Sequence, residues 1–83
     1  MSLEPLKAAR KKTIGAKQTL KAVEKSQAKE VYWASDAELH VVDPILRICS
    51  SKNIPIVKAD SMKDLGRACN IEVGCAIAAI IEQ

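Results

Sequence analysis

The sequence predicts an α/β protein, a three-layer α/β/α sandwich with helices on both faces of a mixed sheet. Three observations lead there. Stretches with helical spacing of apolar residues alternate with short apolar runs along the chain. Helix-start signals stand ahead of some of those stretches, as in "DPIL" and "SMKD". The runs between them, "EVYWA" above all, are rich in the β-branched and aromatic residues that suit a half-buried pleated surface.

In chain order, Leu3, Leu6 and Ala9 or Arg10 fit a short amphipathic helix. Pro5 is tolerated in its first turn, where its missing N–H has no helical partner to lose. "KTI" reads as a brief extended piece ending at Gly15. Ala16, Leu20, Val23 and the stem of Gln27 then follow a helical period, ending near Ser26–Gln27. Glu30 to Ala34 is a buried strand. Asp43 is placed to cap a third helix with Pro44 at its first position, although an extra turn from His40 fits as well. Ile45, Leu46, Ile48 and Cys49 form the inward stripe of that helix.

"IPIVKA" is the next strand, with Pro55 near its start, where a missing donor does least harm. Ser61 and Asp64 make a capping-box pattern that opens a helix through about Cys69. Asn70 can close it in the left-handed conformation. Periodicity cannot tell strand from helix in "CAIAAII", but the sandwich architecture uses it best as a central strand.

Eighty-three residues suffice for one modest core, so residues 1–83 are read as a single domain. With 48% apolar and 28% charged residues, the composition is that of a globular protein. "CAIAAII" is too short to span a bilayer, and no apolar secretory core follows the N-terminus, so a cytoplasmic protein without membrane contact is expected. Cys49, Cys69 and Cys75 form no Cys-x-x-Cys pair and no zinc-like spacing with His40, the sole histidine. Reduced core thiols and no metal site are expected.

The net charge of +3 conceals an asymmetry. Residues 1–29 carry eight basic residues against Glu4 and Glu24, whereas residues 30–83 carry five basic and eight acidic ones. A polyanion met through the basic third is the partner this implies. Catalysis lacks candidates: there is no Gly-x-Ser-x-Gly, phosphate loop or dinucleotide fingerprint. His40 beside Asp43, and Asp36 and Glu38 near a strand end, read as surface residues rather than as acid–base pairs. Neither an enzyme, a cofactor nor a small-molecule substrate is expected.

The stretch "GAKQTLK" offers recognition instead. On a helix starting near Ala16, residues 17, 18 and 21 fall within an arc of about 100°. Lys17, Gln18 and Lys21 thus project together beside the free N–H groups and positive dipole end of the helix. Gly15 carries no Cβ, so a phosphate or backbone can come close. An amide between two lysines can donate and accept at a base edge while the lysines meet guanine acceptors or phosphates. Lys7, Arg10, Lys11 and Lys12 would add phosphate attraction, with Lys11 and Lys12 as the principal contacts. Farther on, Ile71 and Val73 place β-branched apolar side chains in a loop, where they either tuck inward or cover an unstacked base.

Taken together, "IGAKQTLKAVEKSQAKEVYWASDAELH", "KNIPIV", "SMKDLGRACNIEV" and "AAII" resemble the ribosomal protein L7Ae family, particularly its short bacterial members, from about Leu3 to Ile81. The most specific part is Gly-x-[Asn/Lys]-[Glu/Gln]-x-x-Lys followed by Leu-Gly-[Arg/Lys]-Ala-Cys and a hydrophobic loop. The resemblance implies a four-stranded sheet between helices and binding to kink-turn RNA, a sharply bent motif with a bulge beside tandem sheared G·A pairs. It implies that Gly15, Lys17, Gln18 and Lys21 meet guanine edges and that Ile71, Glu72 and Val73 cover the flipped-out nucleotide. It further implies that Glu38 and Val42 line that nucleotide's pocket.

The implied protein acts as a monomer on ribosomal RNA, a riboswitch or a similar structured RNA. Its rival is a protein–protein adaptor of the same fold working through the acidic C-terminal part. Departures from the family pattern are Lys17-Gln18 in place of Asn-Glu, Ser35 in place of an acid, and Asn70 in place of glycine.

Overall fold

The computed structural model describes residues 2–83. Helices α1 (Glu4–Ala8), α2 (Ala16–Glu24), α3 (Leu39–Lys52) and α4 (Met62–Ala68) alternate with strands β1 (Lys11–Ile14), β2 (Glu30–Ala34), β3 (Ile56–Ala59) and β4 (Ile77–Glu82). The strands form one sheet in the order β1-β4-β2-β3. β4 runs antiparallel to both β1 and β2, while β2 and β3 are parallel. The expected mixed sheet is therefore present, with "AIAAII" as a central strand. α2 packs with α3 and α1 with α4, giving a helical layer on each side of the sheet.

Burial explains the register. β2 and β4 are covered from both faces: Val31, Tyr32, Ile77, Ala78, Ala79 and Ile80 are all buried. Apolar runs, rather than alternating ones, are what a strand covered on both faces needs. Tyr32 reconciles its phenol with that setting by donating to Glu30 Oε1 at 2.6 Å. Burial raises its pKa, helped by the neighbouring carboxylate. Trp33 is only half-buried, with the Lys58 ammonium 5.6 Å from its ring centroid.

Several helix limits differ from the sequence reading. α3 starts at Leu39, so of the two expected starts the one with the extra turn is adopted, one residue earlier than His40; Asp43 is not its cap and Pro44 lies within the helix. Burying Val42 one turn before Ile45 and Cys49 accounts for the added turn. Asp43 instead pairs with Arg47 at 2.8 Å, one helical turn on. α2 ends at Glu24, and its inward face is centred on Thr19, Ala22 and Val23, with Leu20 half-buried and Gln27 exposed. Lys52 of α3 donates to Glu24 O at 2.7 Å and Ser26 Oγ at 2.9 Å, covering the carbonyl end of α2. Thr19, the buried polar side chain among the described residues, is satisfied by the Thr13 hydroxyl at 2.9 Å. α4 is capped as its sequence suggests: Asp64 N donates to Ser61 Oγ at 3.0 Å, and Asn70 is left-handed with φ 63°.

Strand directions fix where function can gather. The carboxyl ends of β1, β2 and β3 and the amino end of β4 lie at one end of the sheet. The α2 tip, the residue 35–38 turn and the residue 69–76 connection therefore emerge side by side.

Candidate nucleic-acid interface

β1 delivers Gly15 to this end of the sheet, where its N–H donates to Ile77 O at 2.9 Å. Gly15 has φ 93° and ψ 163°, in the region that disfavours a side chain. Space around its missing Cβ is open to at least 4 Å, so the tip of α2 is approachable. No side chain caps α2, leaving first-turn N–H groups directed outward.

Lys17, Gln18 and Lys21 are all exposed, but they do not share one surface recess. Gln18 and Lys21 line a groove of about 430 Å³ with Lys11, Thr13, Ala22, Lys25, Gln27 and Ile81. This groove runs between α2 and the outer strand β1. Three lysines and no carboxylate border it, making it a site for negative charge. Gln18 Oε1 accepts from Ile14 N at 3.4 Å, which turns its NH₂ group toward solvent. Lys17 stands outside the groove, on the adjoining surface of the first turn.

Lys11 and Lys12 separate. Lys11 faces the groove with Thr13, whereas Lys12 reaches Lys7 O at 3.5 Å on the α1 and α4 side. Alternation along β1 is the reason: neighbouring residues face opposite sides of a sheet. Lys11 and Lys12, both expected as phosphate contacts, thus emerge on opposite faces of the sheet.

The second part of the interface is the turn after α4. Ile71 N donates to Gly66 O and Cys75 N to Met62 O, each at 3.0 Å, so the loop folds back along the helix. Ile71 is half-buried against the core, whereas Glu72 is exposed and Val73 is 72% exposed. An exposed valine in a backbone-anchored loop is available for apolar contact. A cavity of about 530 Å³ lies beside it, lined by Asp36, Met62, Lys63, Arg67, Ile71, Glu72, Val73 and Gly74. Asp36 is held there by accepting from Met62 N at 2.8 Å.

Gly66 makes the fold-back possible. A Cβ on it would stand 2.2 Å from Val73 O, far inside contact distance. Glycine within a helix is a recognised sign of close approach, although the sequence did not say what approaches.

Glu38 is exposed at the start of α3, with a carboxylate oxygen 3.7 Å from His40 Nδ1. Val42, by contrast, is 0% exposed. It is a core residue and offers no surface to a nucleotide, a correction to the role the family resemblance implied. Leu39, 65% exposed, is the apolar side chain that the start of α3 presents. Cys49, Cys69 and Cys75 are buried free thiols. No cluster of three metal-ligating side chains exists among the described residues, nor is any helix there long and apolar enough to cross a membrane.

Sequence reasoning missed Lys25, Gln27, Lys63 and Arg67. Lys25 was accessible to it, being one turn beyond Lys21 on the same helical face. Lys63 and Arg67 are likewise one turn apart, but their cavity depends on the loop's fold-back.

Comparison with known proteins agrees with this architecture. An "RNA-binding protein" of Geobacillus thermodenitrificans is 44% identical over 81 residues, covering 98% of this chain and 99% of that protein. "RNA-binding protein YbxF" of Geobacillus stearothermophilus is 43% identical with the same coverage. Among solved structures, the Giardia lamblia 15.5kD RNA binding protein superposes with a TM-score of 0.87 at 32% identity, over 98% of this chain and 71% of that one. Residues 2–83 match the sequence pattern of one family throughout. The chain belongs to the ribosomal protein L7Ae/L30e/S12e/Gadd45 family.

Proposed function

We propose that this chain is a non-enzymatic, cytoplasmic RNA-binding protein that recognises and stabilises kink-turns as a monomer. Relatives spanning almost the whole chain are named RNA-binding proteins, which supports the general function. The observation that carries the finer reading is a glycine-opened helix tip and an exposed apolar loop at one end of the sheet, with an acid-free lysine and amide groove running from that tip along α2.

Each feature answers a need of a bent, bulged duplex. Lys11, Lys21 and Lys25 attract its crowded phosphates. The outward NH₂ group of Gln18 donates to the O6 and N7 acceptors of guanine, with Lys21 beside it. A glutamate at this position could only accept, so Gln18 reads the purine edge with inverted polarity. Val73, with Glu72 and the stem of Ile71, covers the extruded base. Lys17 and Glu38 flank these contacts. Because the surface fits only the bent form, binding shifts the RNA population toward it.

Calorimetric titration against a kink-turn RNA and a control with disrupted G·A pairs tests this reading. The kink-turn is expected to bind at least about tenfold tighter, or roughly 1.4 kcal/mol. Equal, weak binding to both RNAs would reject kink-turn recognition and favour the adaptor role or nonspecific basic attraction.

A further inference from the structure

The groove beside α2 continues well past the helix tip. β1 leads up to Gly15 and α2 leads back from it, so Lys11 at the start of the strand and Lys25 at the end of the helix share the groove's far end. Along α2, Gln18, Lys21, Ala22 and Lys25 keep the spacing of a single helical face. From Gln18 to Lys25 is about 10 Å of helical rise. On the other wall, Ile14, whose N–H meets Gln18, is three positions from Lys11, again about 10 Å.

The far end rests on a fixed backbone. Ser26 is left-handed, with φ 58°. Its N–H donates to Val23 O at 3.0 Å and that of Gln27 to Ala22 O at 2.8 Å, the pair of bonds that closes a helix in a Schellman turn. Lys52 holds the same turn from α3 by donating to Ser26 Oγ at 2.9 Å. Gln27 therefore borders the groove from an ordered position, with its side chain exposed. Among the described residues that amide has no hydrogen-bond partner. Lys11 and Lys25 enter no ion pair among them either. Glu82, opposite Lys11 in the β1–β4 register, pairs with Arg10 at 3.8 Å.

We propose that Lys11, Lys25 and Gln27 form a clamp for backbone phosphates of the RNA stem beyond the sheared G·A pairs. That this stem belongs to a kink-turn rests on the function proposed above; the affinity of the clamp for duplex RNA does not. At roughly 3.4 Å of axis per nucleotide of one strand, the groove spans about three nucleotides. The tandem pairs fill the part next to the tip, where Gln18 and Lys21 stand, and the regular stem meets the far end. Side chains cannot read base edges in the deep, narrow major groove of such a stem, so the contact is to its backbone. The lysines supply charge, and the Gln27 NH₂ group donates to a phosphate oxygen. Contacts of this kind carry no sequence information but fix register, which here sets Gln18 against its purine.

Calorimetric titration with kink-turn RNAs carrying one neutral methylphosphonate at a time tests the proposal. Linkages in the stem just beyond the sheared pairs should each lower the affinity of the native chain about three- to tenfold. Lys11→Ala and Lys25→Ala should each reduce the salt slope by roughly one. Gln27→Ala should lower affinity about threefold and leave the slope unchanged, because a neutral amide displaces no counterion. A neutral linkage should cost little further in the variant that has already lost its contact. All three side chains are exposed, so thermal midpoints should hold. Should that of Gln27→Ala fall, Gln27→Glu keeps the side-chain length and should weaken binding more, by repelling phosphate.

Sensitivity confined to the bend, or variants that respond to the stem linkages as the native chain does, would overturn the proposal. If the native chain does not prefer the kink-turn to its G·A-disrupted control, yet the three variants lose affinity for plain duplex RNA with these slopes, the clamp stands. Only the kink-turn reading then falls.

Discussion

Replacing Gln18 or Lys21 with alanine is expected to reduce kink-turn affinity by about 1–3 kcal/mol each, roughly tenfold to a hundredfold. Both side chains border the same groove, and neither contributes a buried contact to the core. Their removal should leave the thermal midpoint nearly unchanged. The two substitutions should differ in salt response. Lys21→Ala removes a cation and should flatten the salt dependence of binding, whereas Gln18→Ala should lower affinity without changing the slope. Salt-series titrations separate the effects. Equal binding by both variants and the native chain would remove the groove from the account.

Gly66→Ala should have the largest combined effect, disabling RNA binding and destabilising the protein by about 3 kcal/mol. Alanine ordinarily favours a helix over glycine, so propensity alone predicts the opposite sign for stability. Here the added methyl group meets the Val73 carbonyl oxygen at 2.2 Å, and that atom belongs to backbone anchored on both sides. The loop must move or α4 must shift. Val73→Asp provides the complementary probe: its exposed side chain allows substitution without disturbing the core. Denaturant unfolding should register Gly66→Ala and scarcely register Val73→Asp, whereas RNA titration should register both.

Why some of this was legible in the sequence, and some not, follows from the range of the forces involved. β2 is declared locally by Glu30 to Ala34, whose β-branched and aromatic side chains suit a covered strand. The α4 cap is similarly local, requiring only Ser61, Asp64 and Asn70. The start of α3 is not. Asp43-Pro44 is a strong local start signal, but burial of Val42 supplies a tertiary gain that draws the helix back to Leu39.

At the interface, composition revealed the basic character of the N-terminal third but not the side of the sheet each lysine faces. Lys11 and Lys12 differ only in strand phase, which becomes visible once Thr13 is paired with Thr19. Helical spacing grouped Gln18 with Lys21 correctly, while the adjoining wall came from β1. The role of Gly66 depends on a loop seven residues later returning over α4, a contact without a local signature. Family resemblance supplied Glu38 and Val42 together, yet only Glu38 presents surface.

Amide chemical shifts followed during titration with a kink-turn RNA give the most direct test of the central claim. Gly15 to Lys21 and Ile71 to Gly74 should shift together and saturate at the same RNA concentration, while Arg47 to Lys52 on α3 remain in place. Shifts concentrated on α3, with the α2 tip and the α4–β4 loop unmoved, would contradict the account.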